Sequence, residues 1–146
     1  AILLFENGIA EHVLIANYEQ TITSIIRMFN QMNIKVFIKP HPRVGFTKNL
    51  RNYAVILPSY IPGEFLSIES FIGVFGISST ALGKLAKIYT KIYSTIDLFS
   101  YTKENDKIYY KNFLNEQSNN NVIFLSQIEE IEICDNSKKV ALIRSN

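Results

Sequence analysis

The chain has 146 residues, of which 47% are hydrophobic and 19% are charged, a composition that can bury the core of one domain. Its 15 Lys and Arg residues exceed its 13 Asp and Glu residues by two, a net charge too small to indicate a nucleic-acid partner. The single cysteine, Cys134, excludes a disulfide within the chain and a cysteine-based zinc site, and the wide separation of His12 and His41 gives no expectation of a metal.

The chain begins in what looks like a strand. It starts at Ala1 without Met, and an apolar run follows at once. Glu6 and Glu11 interrupt this apolar start, so no signal peptide is predicted. No apolar run approaches the roughly 18 residues that a membrane span needs. We expect a soluble protein in which residues 1–146 form a single domain, the later part of a longer protein.

Strands and helices are predicted to alternate along the chain. The apolar run Ile2–Phe5 predicts a first buried strand, and apolar residues at intervals of three and four predict a helix over residues 18–32. Further strands are predicted over residues 34–38, 53–57, 71–75, 88–93 and 122–125, and further helices over residues 79–86 and 104–116. This alternation predicts an α/β fold, a Rossmann-like parallel sheet with helices on both faces, whose ligands bind beyond the carboxyl ends of the strands.

Four polar clusters fall at this carboxyl edge of the predicted sheet. They are Glu6-Asn7-Gly8, Lys39-Pro40-His41-Pro42, Pro62-Gly63-Glu64 and Ser78-Ser79-Thr80. The first places a carboxylate where a general base could act, and a solvated turn is the alternative. The last begins a helix, so its hydroxyl and backbone N–H groups suit an anion, although Ser79 or Ser78 would equally serve as a helix N-cap.

The second and third clusters suit the phosphate and the ribose of a nucleotide. Two prolines hold the backbone around His41 extended, so Lys39, His41 and Arg43 bring three potential cations together; a proline turn with solvated charges is the alternative. Glu64 stands at the start of a predicted helix, where a carboxylate favours the helix dipole or accepts ribose hydroxyls. The Walker, dinucleotide-binding and nucleophile-elbow signatures are missing, which weakens ATP, NAD and serine-hydrolase interpretations.

The order of these motifs resembles that of the bacterial sialyltransferases of lipooligosaccharide and polysialic-acid capsule synthesis. A carboxylate-x-Gly, a Lys-x-His-Pro, an Ile-Pro-x-Glu and a Gly-x-Ser-Ser motif follow one another between Leu4 and Leu85. The resemblance implies the later, donor-binding half of a GT-B fold. It implies a glycosyltransferase that moves sialic acid from CMP-sialic acid to a cell-surface glycan with inversion. It implies no metal and no cofactor besides this donor substrate.

Residue roles carry over from that family motif by motif. The resemblance implies that Glu6 is the base for the acceptor hydroxyl and that His41 donates to the phosphate of the departing CMP. It implies that Ser78 and Ser79 hold this phosphate and that Glu64 binds the cytidine ribose. The remaining donor-binding residues that it implies are Lys39, Pro42, Gly76 and Thr80.

The implied partners are a nucleotide-sugar donor, a glycan acceptor and the N-terminal, acceptor-binding half of the same enzyme, and a homo-oligomer is left open. The implied location is the cytoplasm, including the inner face of the bacterial membrane. Two alternatives stay open, a GT-B transferase that uses CDP-glycerol or CMP-Kdo and a nucleotide-binding module whose catalytic surface has decayed. Asn7 favours the decayed module, because the family usually has a second acidic residue there.

Overall fold

The computed structural model describes residues 1–6, 13–41, 47–61 and 66–127 of the chain. Within these ranges the strands are β1 (Ile2–Phe5), β2 (Ile15–Ala16), β3 (Val36–Lys39), β4 (Val55–Ile56), β5 (Val74–Gly76), β6 (Ile92–Ser94), β7 (Ser100–Tyr101) and β8 (Ile123–Phe124). The α-helices are α1 (Tyr18–Gln31), α2 (Thr80–Ala86) and α3 (Glu104–Ser118), and short 3-10 helices cover Lys48–Asn52, Ile68–Ser70 and Ile96–Leu98.

The main sheet of this part of the chain is parallel throughout. Its strand order is β4-β3-β1-β5-β6-β8, and every neighbouring pair runs in the same direction. Counted along the chain, this order is 3-2-1-4-5-6, that of the Rossmann fold, so the predicted parallel α/β sheet is confirmed. The chain leaves β1 for β3 and β4 on one side and then crosses to β5 on the other side. The topological switch point therefore lies between β1 and β5.

Helices cover both faces of the sheet, because successive residues of a strand point to opposite sides. Ile2 and Leu4 belong to the core under α1, and Leu3 and Phe5 belong to the core under α2 and α3. The buried residues of α1, which recur at intervals of three and four, are Tyr18, Ile22, Ile25, Ile26 and Phe29. This amphipathic pattern explains why the helix forms and which side it buries.

Gly83 allows α2 and α3 to pack closely on the second face. A Cβ atom at position 83 would lie 2.7 Å from the Cβ of Gln117 in α3. Real Cβ atoms do not approach each other so closely, so the contact between the two helices requires glycine at this position.

Several predicted elements differ from the structure at their ends. The strand predicted over residues 88–93 is β6, which begins only at Ile92, because the N–H groups of Ile88 and Tyr89 donate to the carbonyl of Leu85 and prolong the end of α2. The strand predicted over residues 53–57 is confined to β4, and α3 continues to Ser118. The antiparallel pairing of β2 with β7, which the sequence does not predict, joins segments that are far apart in the chain.

Candidate functional site

Buried polar side chains concentrate at the carboxyl edge of the sheet. Within the described residues, those that follow or end a parallel strand are Glu6 after β1, Lys39 in β3, Ser78 after β5, and Ser94 and Thr95 at the end of β6. Among the described residues, Ser118 at the end of α3 is the only buried polar residue that lies away from this edge. Burial of a polar group costs free energy unless a hydrogen-bond partner compensates for it. The polar groups at this edge therefore need such partners.

Glu6 is held at the end of β1 by contacts with two other segments. Its backbone N–H donates to the carbonyl of Lys39 at 3.1 Å, and its two carboxylate oxygens accept the N–H of Thr47 at 2.9 and 3.1 Å. The residue is 4% exposed.

The surroundings of Glu6 favour its protonated form. Burial raises the pKa of the carboxyl group above its ordinary value, and the negative charge of Glu19 raises it further. The hydrogen bonds from Thr47 act in the opposite direction, because they stabilise the carboxylate. A carboxylate with an increased proton affinity matches the requirement for a general base.

Lys39 ties two loops together beneath the sheet edge. It is 5% exposed, and its Nζ donates to the carbonyls of Pro40 at 3.2 Å and Ser59 at 3.1 Å. Burial lowers the pKa of its ammonium group. Its hydrogen bonds thus hold the turn that carries His41 against the loop after β4.

His41 follows Pro40 directly beyond the end of β3 and is half-buried. Its place in the chain puts it at the same edge as Glu6, since β3 and β1 are neighbouring strands with Phe5 opposite Lys39. The other residues predicted for the second and third clusters lie outside the described residues. They are Pro42, Arg43, Pro62, Gly63 and Glu64.

The segment from Gly76 to Thr80 leads from β5 into α2. The Gly76 carbonyl accepts the backbone N–H of Thr95 at 2.8 Å and its hydroxyl at 3.3 Å. The Ile77 carbonyl accepts the hydroxyl of Ser94 at 2.5 Å. The end of β6 therefore fixes the turn through which the chain enters α2.

The two serines of this turn have different surroundings. Ser78 is buried, whereas Ser79 is half-buried and forms the N-cap of α2, with its hydroxyl oxygen accepting the N–H of Ala81 at 3.2 Å. Thr80, the first residue of the helix, is exposed. The hydroxyl of Ser79 keeps its own proton for donation, because the cap uses only a lone pair of the oxygen.

The structure brings three of the predicted clusters to neighbouring strand ends. Strands β3, β1 and β5 are adjacent, at the spacing of about 4.8 Å usual in sheets, so Lys39 and His41, Glu6, and Ser78 and Ser79 share one edge. Glu6 and the serine turn flank the switch point between β1 and β5, where open α/β sheets bind their ligands.

The sequence analysis does not predict three residues of this edge. Ser94 and Thr95 follow the buried residues Ile92 and Tyr93, so the same rule that selects polar residues after a strand would have found them. Thr47 reaches Glu6 from 41 positions away, and no local pattern predicts that contact.

Within the described ranges, no three His, Cys, Asp or Glu side chains are grouped as a metal site would require. No α-helix in the same ranges has the length and apolar character needed to cross a membrane. Compared with known proteins, the chain matches no protein-family model, no curated protein and no solved structure.

Proposed function

We propose that the chain is the donor-binding half of a glycosyltransferase that moves sialic acid from CMP-sialic acid to a cell-surface glycan with inversion. One observation carries the proposal. A buried carboxylate, a histidine turn and a serine turn, which are the chemical groups that the motifs imply, lie at adjacent strand ends around the switch point of a Rossmann-like sheet.

In this proposal Glu6 accepts the proton of the acceptor hydroxyl. The acceptor oxygen attacks the anomeric carbon of sialic acid while the bond from that carbon to the CMP phosphate oxygen breaks. His41 donates a proton to the departing phosphate, and Ser78 and Ser79 donate hydrogen bonds to it. Such a displacement needs a base, charge stabilisation at the leaving group and close orientation, and the edge offers a residue for each.

Other residues of the edge support this chemistry by fixing its geometry. Lys39 holds the turn before His41 through the carbonyl of Pro40, and Ser94 and Thr95 hold the turn before Ser78. Side chains that perform chemistry need such support, because small displacements of the reacting groups are costly in rate. We therefore assign Lys39 to positioning as well as to the donor site.

The proposal includes the remaining partners of a GT-B enzyme. An N-terminal half of the same enzyme would hold the acceptor across the cleft, and the enzyme would work in the cytoplasm or at the inner face of the bacterial membrane. Donors of related chemistry, CDP-glycerol and CMP-Kdo, would use the same edge, and donor assays separate them.

A nucleotide-binding module without transferase activity is a second candidate. The observation that favours it is the contact between Glu6 and Thr47, in which both carboxylate oxygens accept one backbone N–H. In that case Glu6 would anchor the segment that begins at Thr47, and cytidine nucleotides would bind without turnover.

Thermal melting in the presence of CMP, CDP, UDP and ADP tests the nucleotide preference that both candidates share. A ligand at 100 times its dissociation constant adds about 2.7 kcal/mol of stability, which corresponds to about 5–11 °C in a chain of this size. We expect CMP to raise the melting temperature most. Equal shifts with UDP or ADP, or no shift with CMP, would contradict the proposal.

Transfer from CMP-sialic acid then separates the enzyme from the module. Product formed from a glycan acceptor by the complete enzyme, and lost on Glu6→Gln, supports the transferase. A normal CMP shift without transfer from any of the three donors supports the binding module.

A further inference from the structure

A polar groove runs along the outer side of α1, and we call it the α1 groove. It has a volume of about 580 Å³ and lies between the exposed side of the helix and the segment of residues 49–53. Its lining includes Glu19, Thr23 and Arg27 of α1 together with Asn49, Asn52 and Tyr53. None of them takes part in the chemistry proposed above.

One end of the α1 groove is joined to the candidate site. Asn49 donates a side-chain hydrogen bond to Glu19 across the groove. Asn49 also lies two residues after Thr47, whose N–H is bound to the carboxylate of Glu6. The charge of Glu19 acts on Glu6 as well, since it raises the pKa of that group. The groove and the edge that carries Glu6 are therefore linked through α1 and the segment that begins at Thr47.

The chemistry of the lining fits a neutral ligand that is rich in hydroxyl groups. Glu19 and Arg27 carry opposite charges at the two ends of the lined stretch, so the lining has no net charge that would select a phosphate or another ionic ligand. The other side chains on the walls are amides, hydroxyls and one phenol, which both donate and accept hydrogen bonds. Sugar hydroxyls also donate and accept, and they are matched by such groups.

Tyr53 supplies an aromatic surface in a fixed place. Its carbonyl accepts a hydrogen bond from the side-chain amide of Asn30 at 3.0 Å, and the guanidinium carbon of Arg27 lies 5.8 Å from the centre of its ring. The side chain is nevertheless 36% exposed. A partly exposed aromatic ring at this place can pack against the apolar C–H face of a sugar.

The α1 groove is longer than one sugar ring. Glu19 and Arg27 are eight residues apart in a helix that rises 1.5 Å per residue, so the lined stretch of α1 is about 12 Å long. The volume also falls in the range of about 300–1,000 Å³ usual for ligand sites. An oligosaccharide fills this space better than a single sugar does.

We propose that the α1 groove binds a neutral oligosaccharide, and that this is the inner part of the acceptor glycan whose terminal hydroxyl reaches Glu6. The assignment of the sugar as the acceptor rests on the function proposed above, whereas the binding of a neutral oligosaccharide rests on the groove alone. The donor-binding half would then contribute to acceptor choice.

Saturation-transfer NMR with the intact chain tests the groove directly. The probes are lactose, N-acetyllactosamine, maltotetraose and chitotetraose, and dextran sulfate serves as an anionic competitor. We expect at least one tetrasaccharide or disaccharide to bind with an affinity that salt leaves unchanged. Tyr53→Ala should weaken this binding about tenfold, the loss expected for one aromatic anchor, and Tyr53→Phe should keep most of it.

The controls separate a binding effect from a folding effect. Tyr109→Ala removes a tyrosine that is 63% exposed on α3, away from the groove, and should leave binding unchanged. Asn52→Ala changes an exposed lining residue and should weaken binding without changing the melting temperature by more than about 1 °C. Because Asn52 is exposed, this variant tests the groove even if Tyr53→Ala fails to fold.

Failure of the groove and failure of the proposed function give different results. If CMP raises the melting temperature but none of the four sugars binds, the α1 groove proposal is overturned. It is also overturned if the sugars bind to Tyr53→Ala and to Asn52→Ala as tightly as they bind to the wild type. Displacement of the bound sugar by dextran sulfate, if it weakens as salt is added, would also overturn the α1 groove proposal. If a sugar binds through Tyr53 while CMP has no effect, the groove proposal stands and the sialyltransferase proposal falls.

Discussion

Replacing Glu6 with Gln is expected to make the protein more stable at neutral and alkaline pH, while it removes the proposed base. Glu6 is 4% exposed, so its charge is largely withdrawn from water. Gln has nearly the same shape, carries no charge and keeps one side-chain oxygen that can accept the N–H of Thr47. The variant therefore removes the cost of the buried charge and retains a hydrogen bond of this site.

The sign of the stability change follows from the direction of the pKa shift. Burial is the largest cause that raises the pKa of Glu6 above 4.5. The folded state therefore binds a proton more tightly than the unfolded chain does. Consequently, the free energy of unfolding falls as pH rises from the ordinary value through the folded-state pKa, and it stays lowered above it. For a chain of this size, each 1 kcal/mol of lost stability corresponds to about 2–4 °C in melting temperature.

The assay is thermal melting of the wild type and Glu6→Gln between pH 4 and pH 9. We expect Glu6→Gln to melt a few degrees higher at pH 8 and the difference to shrink as the pH is lowered, because Glu6 of the wild type then becomes protonated. Glu69→Gln is the matched control, since Glu69 is exposed and accepts a hydrogen bond from Tyr89 at 3.1 Å. A surface change of this kind should alter stability by no more than about 0.5 kcal/mol.

A Glu6→Gln protein that melts lower than the wild type at pH 8, with the difference shrinking as the pH is lowered to 4, would refute this reasoning. It would mean that the hydrogen bonds from Thr47 outweigh the burial of the carboxylate and lower its pKa. In the intact enzyme the same raised pKa predicts that activity falls as the pH drops through it, because a protonated Glu6 cannot accept the acceptor proton.

Three further changes test the turn before α2, the histidine turn and the packing of the helices. Ser79→Ala should cost about 1 kcal/mol because the cap to Ala81 is lost, and it should also weaken CMP binding; normal CMP binding would leave Ser79 as a cap alone. His41→Ala should lower kcat of the complete enzyme about 100-fold with little change in donor affinity, and an unchanged kcat would remove its role. Gly83→Ala should destabilise the protein by about 1–3 kcal/mol in thermal melting, because the new Cβ meets Gln117; an unchanged melting temperature would contradict the required close contact.

Much of the fold could be predicted from local patterns. The apolar residues of α1 recur at helical spacing, so the predicted range of residues 18–32 differs from Tyr18–Gln31 by one residue. Short strands are harder, because their ends depend on hydrogen bonds to distant residues. The apolar pair Ile88 and Tyr89 looks like the start of a strand, yet its N–H groups complete the last turn of α2.

The candidate site was predictable only where it follows from strand ends. The rule that ligands bind beyond carboxyl ends selects Glu6, His41 and the serines before any contact is known. The strand order that makes β1 the neighbour of β5 is a global property, and so is the contact between Glu6 and Thr47. The role of Lys39 as a tether to Ser59 likewise depends on a loop 20 residues away, to which no local pattern points.

Among the described residues, Glu6 and Lys39 are the buried charged side chains, and they give a reason to look for function at this edge that does not depend on the motifs. Glu6 and Lys39 end neighbouring strands, but the alternation of side chains directs Glu6 to the face of α1 and Lys39 to the opposite face. They are therefore unable to neutralise each other, and each bonds to backbone groups instead. Uncharged side chains that kept hydrogen bonds to these backbone groups would avoid the cost of burying a charge. A fold that keeps both charges here accepts lower stability at the edge where its topology also favours a ligand.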